Sequence, residues 1–216
     1  MKRLIYLFAI ILISSACISG RNELMKNSTP TEVPQPFMEI WESGLNSGIP
    51  CAPSCLIGIV PGITTEKEAM DLLQKHGISE WCEIVDDESQ GGVRGVICDE
   101  LFLFDYRTGT DIIESVSITP LSLYTVSDVI ATYGPPDFVE VYLTSLPDYS
   151  PKVQMRIYYK TFFAMILLLE QDGEDYIVES DTTIENIFFW EETYFQESYL
   201  SDSQKWHGYG RYPFKW

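Results

Sequence analysis

Thr65-Glu66-Lys67-Glu68-Ala69-Met70-Asp71-Leu72-Leu73-Gln74-Lys75-His76-Gly77, together with the alternating segments that run on to Ile118, decides the fold. Thr65 and Glu68 have the spacing of a capping box. The Thr hydroxyl bonds the third backbone N–H and the Glu carboxylate bonds back to the cap, so a helix starts here. Ala69, Leu72, Leu73 and His76 recur at helical spacing, and Gly77 stops the run. His76 falls on the apolar face, where packing or capping of the helix end accounts for it. Beyond Gly77 the period changes to two. Trp81 to Val85, Val93 to Cys98, Glu100 to Tyr106 and Asp111 to Ile118 read as strands. Asp86-Asp87-Glu88-Ser89-Gln90-Gly91-Gly92, a tight bend near Asp99 and Arg107-Thr108-Gly109 separate them.

The same order then recurs. Thr125-Val126-Ser127-Asp128 caps a shorter helix bearing Val129, Ile130 and Tyr133, and Gly134-Pro135-Pro136 ends it. Phe138 to Leu143, Val153 to Tyr159, Phe162 to Glu170, Tyr176 to Glu179 and Ile184 to Trp190 read as strands, with a hairpin turn at Asp172-Gly173. Phe162 to Leu169 is apolar on both faces, which predicts a central strand covered on both sides. The fold expected is α+β, built of two tandem units. Each is a short helix followed by an antiparallel β-meander, with the sheets facing or side by side. The units would span 37–120 and 121–190, and 191–216 would be an aromatic C-terminal tail packing on the body.

Gly62-Ile63-Thr64-Thr65, then Ala69, Leu72 and Gly77, then one Cys in each of the first two strands, resembles the repeat of secreted β-lactamase-inhibitor-like proteins. The outer-membrane assembly lipoproteins of the SmpA/OmlA (BamE) type share this pattern. The resemblance implies a small helical layer on an antiparallel sheet and a disulfide tying the first two strands, with Cys82 and Cys98 in the matching places. The second copy, from Leu123 to Asp137, lacks the Gly-x-Thr motif and the Cys pair. It looks instead like the helix-to-strand segment of bacterial lipoproteins to which no activity is assigned. Fold carries over from such a likeness; function does not.

The N-terminus speaks to location. Met1-Lys2-Arg3, an apolar run from Leu4 to Ile13, and Ser14-Ser15-Ala16-Cys17 read as a secretory signal over residues 1–16. The run is shorter than the ~20 apolar residues a transmembrane helix needs. Cys17 in the first mature position resembles the acylated cysteine of a bacterial lipoprotein, which implies a palmitate-type lipid anchor. An ordinary secretory cleavage after Ser14-x-Ala16 uses the same bond. Residues 17–36, polar and Pro-rich, read as a flexible tether. Acylating Cys17 also removes the odd cysteine of five, leaving Cys51, Cys55, Cys82 and Cys98 to pair. A local Cys51–Cys55 bridge with Cys82–Cys98 is one arrangement, and cross-pairing is the other. A bridge closing a hairpin loop of about fifteen residues contributes ~3 kcal/mol on a chain-entropy estimate.

Removing the first sixteen residues takes Lys2 and Arg3 and no acid, so 12 basic and 32 acidic residues remain, a formal charge of −20. That charge argues against nucleic acid and anionic lipid surfaces as partners, and reads either as a solvated acidic surface or as one that suits cationic partners. A 45% apolar content supplies a packed core.

No motif names a reaction. The chain has no Gly-x-Ser-x-Gly elbow and no recognisable Cys-His pair. Cys51-x3-Cys55 has the wrong spacing for a redox motif, and only His76 and His207 could add imidazole ligands, so neither a metal nor a cofactor is expected. Asp86-Asp87-Glu88 and Asp172-Gly173-Glu174-Asp175 depart from a calcium loop and read as solvated turns. The last thirty residues crowd aromatics, and Trp206, Tyr209 and Tyr212 are the candidate binding surface unless the tail folds back over a sheet face or edge. The expectation is a membrane-anchored, extracytoplasmic lipoprotein, held to the cell membrane or outer envelope. It would act as a binding or structural module toward an envelope protein or glycan. The alternative is an envelope hydrolase with an unrecognised carboxylate pair.

Overall fold

The structure, a computed structural model, describes residues 33–43, 55–87, 93–107, 109–121, 123–144, 151–173, 175–199 and 203–214. The folded body, Pro34–Trp216, is one compact unit. The signal, most of the tether, Cys17 and Cys51 lie outside the described residues.

The helices are α1 (Gln35–Ser43), α2 (Glu66–Lys75), α3 (Val126–Tyr133) and α4 (Glu192–Tyr199). The strands are β1 (Cys82–Asp87), β2 (Val93–Cys98), β3 (Phe102–Tyr106), β4 (Ile113–Ile118), β5 (Phe138–Leu143), β6 (Lys152–Tyr159), β7 (Ala164–Leu168), β8 (Gln171–Asp172), β9 (Asp175–Val178), β10 (Ile184–Trp190), β11 (Gln204–Lys205) and β12 (Gly210–Pro213). Both capping boxes form: Thr65 and Glu68 on α2, Thr125 and Asp128 on α3.

The expected pair of helix-plus-meander units is not what forms. One ten-stranded antiparallel sheet runs in the order β1-β2-β3-β4-β10-β7-β6-β5-β11, with β8 adding to β6. The strand that fuses the halves is β10, which pairs with β4 through Ile187↔Ile118 and with β7 through Ile187↔Ile166. Without it β4 would present an open edge whose Val116 and Ile118 are fully buried here. An apolar edge of that kind is better paired than exposed. The strand read as central, β7, lies between β6 and β10.

Alternation divides the sheet into two faces. The inner face carries Phe102 and Phe104 of β3, Ile187 and Phe189 of β10, and Ile157 and Tyr159 of β6, all buried. Helices α1, α2 and α3 lie on it. Phe37 of α1 is fully buried, its ring 5.3 Å from Phe102 and 5.9 Å from Trp81. Trp41 meets Tyr124 at 5.2 Å. The chain enters this helix at Gln35, so the body begins slightly before the boundary drawn at residue 36. Glu66 of α2 bonds Arg94 at 2.7 Å, and Tyr133 of α3 packs on Tyr159 at 6.2 Å. The N-caps are tied to strand starts by bridges, Thr65↔Ile112 and Thr125↔Thr183.

The C-terminal segment wraps the far edge. Phe195 of α4 is fully buried against Tyr158 and Phe163, at 6.0 and 6.2 Å. Strand β11 then pairs with Val139 and Phe138 of β5 and closes that edge. Finally β12 pairs with β9, where Tyr212 faces Tyr176 and both are fully buried.

Candidate functional site: the outer face of the sheet

The strand registers lay the outer face out in rows. One crosses five strands as Val85, Gly95, Asp105, Ser115 and Trp190. The next runs Glu83, Ile97, Leu103, Ser117, Phe188, Met165, Tyr158 and Phe138. Helix α4 covers the far end of this second row, because Phe195 sits with Tyr158 and Met165, and Phe138 and Phe188 pack against that cluster. The near end, with Leu103 and Ile97 half-buried and Glu83 exposed, carries no helix among the described residues. Trp190 stacks on Phe188 at 6.2 Å and on the exposed Tyr194 at 5.1 Å, a ladder of three rings leading off the sheet onto α4.

Beyond α4 the face becomes polar. Glu140 accepts the Tyr158 hydroxyl at 2.5 Å and Nη1 of Arg156 at 3.3 Å on one oxygen. The Arg156 guanidinium lies 4.2 Å from the centre of the Tyr142 ring. Tyr142 donates to Gln154 at 2.6 Å, and Gln154 donates on to Glu185 at 2.5 Å. Burial, then the Glu140 bond, raise the Tyr158 phenol far above its ordinary value. It stays protonated and donates. Glu140 is thereby matched by a cation and a donor, which makes this network a rigid polar surface rather than a free acid.

Asp105 differs. Its Oδ2 accepts the Ser115 hydroxyl at 2.7 Å, and burial raises its carboxyl above the usual range although that bond lowers it. Arg107 is engaged elsewhere, with Glu114 at 3.6 Å and Glu191 at 3.3 Å. On the far side of the molecule an open cleft of about 430 Å³ runs beside α2, lined by Val60, Ile63, Leu72, Glu68 and Asp71. Its Glu68 takes the Thr65 backbone N–H and hydroxyl, which hold the carboxyl below the ordinary range. That acid is a helix cap, unsuited to proton donation.

The residues singled out from sequence scatter. Cys82 and Cys98 are directly opposed on β1 and β2 and joined, with Cα atoms 4.0 Å apart. Cys55 is also disulfide-bonded, and because Cys82 and Cys98 are joined to each other neither strand cysteine is cross-paired. Of the aromatic trio, Tyr209 is 47% exposed, Trp206 is half-buried and Tyr212 is fully buried. The Tyr212 ring is stacked between His207 at 4.1 Å and Trp206 at 5.7 Å, and its hydroxyl donates to Gly208 O at 2.7 Å. Tyr212 is therefore a core residue of the tail and presents nothing to a partner. His76 is exposed just past α2, not on its apolar face. Among the described residues no group of three His, Cys, Asp or Glu side chains stands close enough to hold a metal ion.

Asp105, Ser115, Leu103, Trp190, Glu140 and Arg156 were not singled out from sequence. The signal was present as strict alternation, which puts them on one side of their strands. Which strands lie side by side was not. No protein family, curated protein or solved structure matches the chain.

Proposed function

We propose that this protein is a lipid-anchored lipoprotein of the cell envelope, tethered through Cys17, which binds a partner protein on the outer face of its sheet. The observation that carries the reading is the uncovered part of that face. Half-buried Leu103 and Ile97 lie there, bordered by exposed Glu83 and half-buried Asp105, an apolar centre with a polar border of the kind protein interfaces use. The signal-like segment and Cys17 support the anchor. The acidic charge supports a partner with a basic surface. Kinship with the β-lactamase-inhibitor-like and SmpA/OmlA lipoproteins belongs to the same proposal and rests on Gly62 to Gly77 and the Cys82–Cys98 bridge.

The test is a pull-down from native envelopes with the intact protein, compared with Leu103→Glu on the face and Cys17→Ala at the anchor. A protein captured by the wild type and lost with Leu103→Glu supports the reading. Capture that ignores Leu103→Glu, or recovery of glycan alone, overturns it. The anchor has its own measurement: a mature chain that begins at Cys17 with no acyl mass sinks the lipidation.

A further inference from the structure

The geometry points to a cation-receiving subsite on the outer face: Asp105, laid across Gly95 and braced by Ser115, takes a lysine or arginine side chain of the partner protein. The inference rests on the docking face proposed above and names the chemistry that face selects.

Three observations carry it. First, the Asp105 carboxylate is half-buried, yet its one neutral donor is Ser115, and no cation stands within 4.0 Å of it among the described residues. Arg107, two residues on from Asp105, is spent on Glu114 and Glu191, and Arg94 of β2 points to the inner face, where it pairs with Glu66. A partly buried, unneutralised carboxylate is unfavourable in the free protein and becomes favourable once a partner's cation reaches it.

Second, the row lets the Asp105 carboxylate lean across β2. Gly95 sits directly opposite Asp105 and between it and Val85, so β2 contributes no side chain at that point. An added Cβ there would lie 2.8 Å from the Phe104 carbonyl oxygen, 3.4 Å from Cδ1 of Leu103 and 3.6 Å from Oδ1 of Asp105, so it is the missing side chain of this buried glycine that leaves room for the carboxylate and the leucine over β2. Third, the walls suit its stem. Val85 lies at one end of the row, Trp190 at the other, and Leu103 is in the adjacent row. A lysine or arginine stem packs on apolar walls while its head bonds the carboxylate. The excess of acid over base in the whole chain draws the same partner in.

The experiment pans displayed random peptides on the full chain, keeps those whose binding Leu103→Glu abolishes, and measures them against Asp105→Asn. The expected binders carry a Lys or Arg. Asp105→Asn weakens them at least about tenfold, as does replacing that residue by norleucine or citrulline. The two changes together cost no more than either alone. Face-dependent binders that lack a basic residue, or that bind Asp105→Asn unchanged, overturn the subsite and leave the docking face standing. If no peptide depends on Leu103, both fall.

Discussion

Burial raises the Asp105 carboxyl above the ordinary carboxylate range, and the Ser115 bond offsets this only in part. The folded protein thus holds that proton more tightly than the unfolded chain. In the window between the ordinary carboxylate value and the raised one, stability falls as pH rises. Asp105→Asn keeps an acceptor for Ser115 and removes the charge. The variant is expected to be more stable at neutral pH, with the difference vanishing at acid pH below the ordinary value. Urea unfolding at the two pH values checks this, and equal stability at neutral pH would sink it. The Tyr158→Phe change works the other way. It strips Glu140 of a buried donor and is expected to cost about 1–2 kcal/mol by the same measurement, while a neutral result would mean that Arg156 alone satisfies the carboxylate. Neither contact was visible in the sequence, because Asp105 and Ser115 are ten residues apart and Glu140 and Tyr158 eighteen, and only strand pairing brings them together.

At the scale of elements, local chemistry set the helices. Thr65 with Glu68 and Thr125 with Asp128 stop and start the chain where their side chains satisfy orphan N–H groups. The strand boundaries follow from alternation and turn residues, which is why β2, β5 and β10 begin and end where the pattern places them. Helix α4 is capped by Glu191, whose Oε2 accepts the Tyr194 backbone N–H at 3.2 Å, but Glu is not among the residues that mark an N-cap, and the exposed polar residues around Phe195 leave little periodicity to read. Its hold on the sheet is correspondingly narrow. Phe195→Ala is expected to release the helix, so that hydrogen exchange at Thr193 to Gln196 accelerates while β2 to β4 stay protected. Unchanged exchange in that segment would show that the helix is held by other contacts. The β1–β2 hairpin is held differently. Cys82→Ser with Cys98→Ser removes a bridge spanning a sequence separation of 16 and is expected to cost ~3 kcal/mol in denaturant unfolding. A loss well under 1 kcal/mol would mean that the unfolded chain is already constrained there.

Ten of the twelve described strands form one sheet, with β9 and β12 paired apart from it, and the cooperativity of the body should follow. Strand β4 is satisfied only when β10 arrives from the far end of the sequence. A fragment covering residues 37–120 is therefore expected to stay unfolded or to aggregate, and the intact chain to lose near-UV and far-UV signals in a single transition. A folded, monomeric fragment would instead restore the picture of two independent units. At the other edge, β11 covers β5 with only two residue pairs, Gln204↔Val139 and Lys205↔Phe138, helped by the aromatic packing around Tyr212.

The sequence by itself determined the helices capped by Thr65 and Thr125, the main strand segments between residues 81 and 190, the central character of β7 and the pool of cysteines, because each depends on residues within a few positions of one another. Tertiary structure alone decided that β10 joins β4 to β7, that the tail turns Tyr212 inward, and that Gly95, Asp105, Ser115 and Trp190 share a row. Side-chain periodicity fixes which way a residue points along its own strand, but the identity of the neighbouring strand is a long-range pairing set by burial of the whole sheet.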